Sequence, residues 1–165
     1  MADKTIDDRL QPSLLDRLTD EEPDSRTESR DTRVIDIRRL REILKRDLAW
    51  LLNTNNQEAV IDREKYPNAF RSVVNYGVSP VAGGSSSSRK AQLIRAAIVQ
   101  AVREFEPRIR PESLEVKLRD QESASQMSVF FDIHGDMWAQ PLPLELFLRS
   151  EVDLMTGHVN LEQRS

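Results

Sequence analysis

The chain contains no cysteine in 165 residues, so disulfides and thiolate metal sites are excluded. Thiol-free composition fits a reducing compartment. Aromatic residues are scarce, at 5%. No apolar run approaches the length needed to cross a bilayer, so no membrane insertion is expected. Met1 is followed by "ADKTIDDRL", which lacks the apolar core of a secretory signal. The charge is not of the sign that nucleic acid attracts: the formal net value is −4, against general affinity for a phosphate backbone. The serine-rich stretch "VAGGSSSSRK" (81–90) lacks the Gly-Lys-Ser/Thr order of a phosphate-binding loop. A soluble intracellular protein that binds no nucleic acid is the expectation.

What is present is charge and two kinds of apolar period. Residues 1–33 are dense in Asp, Glu, Arg, Ser and Thr, the composition of a disordered tail. Within it, "QPSLLDRLTDEEP" (11–23) carries Leu14, Leu15 and Leu18 at helical spacing. Pro12 suits the first turn of a short helix there, and Asp20 onward closes it. Burying each leucine returns roughly 1.5–3 kcal/mol, while ordering ten residues costs on the order of 10 kcal/mol. The segment over 11–20 therefore needs a surface to dock on, in this chain or in another.

From residue 34 onward a single α+β domain is expected, running to residue 165. Val34, Ile37, Leu40, Leu44, Leu48, Leu51 and Leu52 fall on one face of a long helix, with Asp31 or Thr32 as its cap and "NTNN" (53–56) as its end. A second stripe of Ile35, Ile43 and Trp50, interleaved with Arg39 and Arg46, is either more core or a partner surface. Arg41 lies close to the apolar face and can snorkel. Glu42 has Arg38 and Arg46 at i±4 for ion pairing. Basic residues concentrated on this helix (Arg38, Arg39, Arg41, Lys45, Arg46) read as a solvated face or an acidic partner's target. Phe70, Val73 and Val74 make a short apolar turn after Pro67, ended by Gly77. Ser88 caps a second helix over 89–105, buried through Ala91, Ile94, Ile98, Ala101, Val102 and Phe105.

Thereafter the period is two. Leu114, Val116 and Leu118 alternate, as do Met127, Val129, Phe131 and Ile133, and Leu144, Leu146 and Leu148. "HGDMW" suggests a Gly-Asp turn at 135–136, and Gly157 another. Helices first and strands later predict α+β: two long helices packed on a small, mostly antiparallel sheet of three or four strands. Open sheet edges invite added strands, and Pro141 and Pro143 can blunt one edge.

"EFEPRIRP" (104–111) stands where helix gives way to strand. Pro107 cannot sit inside a helix and pushes Glu106 out of helical conformation. Residues two apart in extended chain point the same way, so Glu106 and Arg108 emerge together on a stiff corner. From the residues alone this is a helix stop with solvated charges, or a docking point.

"QPSLLDRLTD", "RDLAWLLNT", "YPNAFRSVVNYGV" and "EFEPRI", in this order, resemble the TssE family of type VI secretion baseplate subunits, related to a wedge protein of contractile-phage tails. The likeness runs from about residue 11 to 161. It implies a small α+β fold and a structural, non-catalytic role without cofactors. It also implies a cytoplasmic place in a baseplate docked at the inner membrane. The family's Glu-Pro-Arg triplet falls on Glu106, Pro107 and Arg108, and implies contact with neighbouring baseplate proteins and a part in starting sheath assembly. The partners so implied are TssF, TssG and TssK in the baseplate and the sheath subunits TssB/TssC. Leu14, Leu15 and Leu18 would then dock in a groove of TssF or TssG.

An enzymatic alternative is a lysozyme-like glycoside hydrolase acting on peptidoglycan. That chemistry uses two carboxylates, one with a raised pKa. Glu106 is the first candidate acid, but a guanidinium on the same side favours its ionised form. No second carboxylate is singled out. His134 and His158 stand far apart beside glycine turns, and His134 with Asp136 makes at most half a metal site. No metal, cofactor or catalytic residue is expected.

Overall fold

In a computed structural model the described residues are 13–19, 23–24, 37–80, 87–119, 128–138 and 144–163. Outside them lie most of the expected tail, Pro12, Asp20, the caps at Asp31 and Thr32, Val34, Ile35, the 81–86 segment, Met127, Pro141 and Pro143. The elements in chain order are α1 (Leu14–Leu18), α2 (Ile37–Leu52), α3 (Pro67–Phe70), a 3-10 turn (Val73–Asn75), α4 (Ser87–Phe105), β1 (Glu115–Leu118), β2 (Ser128–Met137), β3 (Leu144–Asp153) and β4 (Val159–Gln163). The architecture is α+β. The strands form one antiparallel sheet in the order β1-β2-β3-β4, and α2 and α4 cover one face of it.

Leu44, Leu48, Leu51 and Leu52 of α2 are buried against Ile94, Ile98 and Val102 of α4 and against the sheet residues Val116, Phe131, Ile133, Leu148 and Leu161. The second stripe of α2 divides: Ile43 is buried, whereas Trp50 is half exposed. Beyond α2, Asn53 and Thr54 side chains return to the carbonyls of Ala49 and Trp50, closing its last turn. The following loop is held by buried Asn75, which accepts from Gln57 N and donates to Phe70 O. Phe70 turns inward, while Val73 and Val74 of the same apolar turn face outward. Gly77 adopts φ +122°, and a Cβ there would lie 2.3 Å from Thr54 O, so only glycine fits.

Three expectations are corrected. The second helix begins at Ser87, so Ser88 lies inside its first turn rather than capping it. Serine is tolerated there because first-turn N–H groups need no intrahelical partner. Glu42 pairs with Arg39 at 3.6 Å, one turn away at i−3, not with Arg38 or Arg46. The supposed Gly-Asp turn at 135–136 does not exist: β2 runs straight through, with Gly135 opposite Leu146 and Asp136 opposite Glu145. Gly135 serves close approach instead, since a Cβ there would meet Ile109 Cγ2 at 2.8 Å. The turn at Gly157 is present, with φ +75° and Gly157 N bonded to Asp153 O.

Both outer edges of the sheet are partly stoppered by side chains. In an antiparallel ladder alternate residues turn their backbone groups away from the partner strand. Arg119 N reaches Phe130 O, which leaves Val116 facing outward from β1. Its carbonyl accepts Arg95 Nε from α4 at 2.5 Å. On β4, Asp153 N bonds His158 O, so Val159 faces outward. Asn53 meets both of its backbone groups, at 2.8 and 2.9 Å. Arg41, expected to snorkel, donates to the Glu145 carbonyl on β3.

Candidate functional site: an ion chain at the proline elbow

The corner after α4 is clamped from both sides. Glu106 N still bonds Val102 O in the helical manner, and Ile109 N turns back to Glu106 O. Ile109 is buried and bridges Met137 at the end of β2. On either side of it, Trp138 N bonds Arg108 O and Arg110 N bonds Asp136 O. Pro107 is exposed at the apex. The elbow is therefore a rigid joint between the second helix and the sheet.

The structure brings Glu106 and Arg108 together, with the acid inside. Glu106 is 5% exposed. Its Oε1 accepts Arg108 N at 3.1 Å and Nε at 2.7 Å, and its Oε2 accepts Nη2 at 2.5 Å. Arg108 keeps a partly exposed side chain and also donates from Nη2 to Asp47 Oδ2 at 2.7 Å. Asp47 Oδ1 accepts Arg46 Nη2 at 2.7 Å. Arg46 in turn grips Asp16 of α1 through Nη1 at 2.7 Å and Nη2 at 3.1 Å, and lies 4.9 Å over the Trp50 ring. Five alternating charges thus run from the N-terminal segment to the elbow: Asp16, Arg46, Asp47, Arg108, Glu106.

The titration of the chain follows its geometry. The Arg46 hydrogen bond holds the Asp16 carboxyl below its ordinary value, against the smaller effect of burial. Arg46 is raised by Asp16 first and Asp47 next. Burial opposes the charge of Arg108, but Glu106 and Asp47 outweigh it and the guanidinium is raised. Tyr76 is pushed up by burial and by the nearby Asp47 and Glu106 charges. Asp16, Arg46 and Arg108 are each shifted toward their charged forms, as a structural network requires. Glu106, the candidate general acid of the hydrolase alternative, has its carboxylate saturated by a guanidinium and a backbone N–H.

Beside the ion chain lies a cleft of about 330 Å³. Trp50, Leu51, Tyr76 and Phe105 give it apolar walls, and Asp47, Glu106 and Arg108 a charged one. Ser13, Leu14 and Leu15 of α1 complete the rim. Ser13 caps α1 and also hydrogen-bonds Asp16. No residue of α1 is buried: Leu14 is 71% exposed, Leu15 48% and Leu18 75%. The leucine segment and the elbow, more than 90 positions apart in sequence, are thus neighbours at one cleft, with Leu18 away from it.

Asp47, Asp16 and the bridging role of Arg46 were not anticipated from sequence. The available signal was "KRDL" (45–48), a charged pair directly before a core leucine. His134 stacks on Phe147 at 4.2 Å between centroids, and His158 is exposed in its turn. Among the described residues there is no group of three or more His, Cys, Asp or Glu placed to hold a metal, and no helix long and apolar enough to cross a membrane.

A small α+β domain whose charged residues are spent on a rigid corner has the build of an assembly module. Residues 38–142 match the family described as baseplate wedge protein gp25, and the chain belongs to that family. Its members are structural, non-enzymatic parts of contractile machines, with baseplate and sheath proteins as partners. Searches among curated proteins and among solved structures found no match.

Proposed function

We propose that this wedge protein is the TssE-type subunit of a type VI secretion baseplate, acting in the cytoplasm at a baseplate docked on the inner membrane. It joins the wedge, through TssF, TssG and TssK, to the first ring of TssB/TssC sheath. The observation that carries this reading is the elbow: Glu106 is held inside by Arg108 while the guanidinium edge stays reachable at a cleft and Pro107 is exposed at the apex. A rigid cation of that kind fixes register against a partner carboxylate. Leu14, Leu15 and Leu18 supply a second contact, a short helix offering apolar side chains to a groove of TssF or TssG.

The test is Arg108→Ala in cells whose sheath is fluorescently labelled. The expected result is a subunit that still folds and is detected in the cells, with no sheath growth. Normal sheath assembly in that strain would remove the elbow from the contact. Co-purification of TssF and TssG with the full chain, against a chain with Leu14, Leu15 and Leu18 all changed to Ser, checks the leucine contact.

A further inference from the structure

The grip of α1 on the domain is polar on one side and poor on the other. Asp16 is bound in bidentate fashion by Arg46, yet no side chain of α1 is buried. Leu14 and Leu15 reach the rim of the cleft, and about 330 Å³ of open volume remains next to them. The segment matches the cleft in charge and underfills it in shape.

We infer that the cleft between α2 and the elbow is a docking site for a helical segment bearing a carboxylate beside bulky aliphatic side chains, and that α1 holds it as a tethered, displaceable competitor. This builds on the reading of the elbow as a contact point and adds the chemistry of the partner and a control on access. The intramolecular occupant displays the chemistry that fits: an Asp for Arg46, and leucines facing the walls made by Trp50 and Leu51. Charge points the same way. Arg46 Nη1 has Asp16 as its partner, whereas Asp47 is already shared with Arg108. Once α1 leaves, that nitrogen, held over the Trp50 ring at the cleft wall, loses its partner and takes an incoming carboxylate. A tethered segment acts at an effective concentration on the order of millimolar. A partner segment of the same chemistry that fills the apolar volume displaces it, and displacement also frees the leucines of α1 for a groove elsewhere. One event then opens both contacts.

The experiment uses the purified full-length chain with Trp138→Phe, which leaves Trp50 as the sole tryptophan and a reporter inside the cleft. The probe is a synthetic peptide of residues 11–20. Asp16→Lys places a cation against Arg46 and ejects α1 without touching the core. The peptide is expected to shift Trp50 emission saturably, and to bind the Asp16→Lys chain at least tenfold more tightly than the chain retaining Asp16. The same peptide with Asp16→Asn should bind at least tenfold more weakly. Circular dichroism checks that both chains are folded. Equal affinity for the two chains overturns the competition, and absence of saturable binding to the Asp16→Lys chain overturns the site. Neither outcome passes through sheath growth, and the Arg108→Ala strain does not pass through α1. Each idea can therefore fail without the other.

Discussion

Glu106 is 5% exposed, and its carboxylate accepts three hydrogen bonds from Arg108. Removing one partner of such a pair leaves the other charge in a poor environment. Arg108→Ala is expected to lower stability by about 2–3 kcal/mol in urea unfolding, less than a fully buried pair because Arg108 retains some solvent. The double variant Glu106→Gln/Arg108→Ala should recover about 1 kcal/mol of that. If single and double variants unfold alike, the two ions are not coupled. At Gly135 the constraint is steric: Gly135→Ala pushes a methyl to 2.8 Å from Ile109 Cγ2, and about 1–3 kcal/mol of overpacking is expected by the same assay. Sequence alone reached part of this residue-level detail. Pro107 made the corner legible because its constraint is local. Asp47 was invisible because its partner Arg108 stands 61 positions away, and no local pattern encodes that distance. Gly135 was misread as a turn because the neighbour that demands glycine, Ile109, comes from another segment.

At the level of elements, alternation identified β2 and β3 because their helix-side residues are buried in strict period two: Phe131, Ile133, Gly135 and Met137, then Leu146, Leu148, Ser150 and Val152. The stoppering of the edges was not legible. Asn53 looked only like a helix end, yet it also bonds both backbone groups of Val159, which lies 106 positions on. Asn53→Ala leaves that N–H and carbonyl without their partner, so a loss of about 1–2 kcal/mol is expected from thermal unfolding. Asn53→Asp, which keeps only the acceptor, should fall between. An unchanged Asn53→Ala variant would show that water serves the edge equally well. The short helix α1 responds to acid instead. The docked carboxyl of Asp16 is depressed below its ordinary 3.8, so its contribution is complete above 3.8 and is lost as pH falls through the depressed value. Trp50 emission in the Trp138→Phe chain should therefore hold steady from neutral pH down to that region and change below it, while the Asp16→Lys chain shows no such step.

For the whole molecule, the question is which parts belong to one cooperative unit. The core runs without a break from Leu48 on α2, through Val102 on α4, to Phe131 and Leu148 in the sheet. The joint at the elbow is part of it, because Ile109 is buried between the end of α4 and the end of β2. A domain built this way unfolds in a single transition. The N-terminal helix shares ions with this unit but no buried side chain. Leu48→Ala, at a fully buried position, is expected to cost about 2–5 kcal/mol. Leu15→Ala, at a position 48% exposed, should stay within about 0.5 kcal/mol. Urea unfolding of both variants in the Trp138→Phe chain, followed by far-ultraviolet circular dichroism and by Trp50 emission, separates the possibilities. Coincident transitions with only Leu48→Ala displaced would mean that α1 rides on a domain that stands without it, as an assembly tether must. A comparable displacement by Leu15→Ala would make α1 a structural member of the fold, and the proposed release of α1 to a partner would then unfold the subunit.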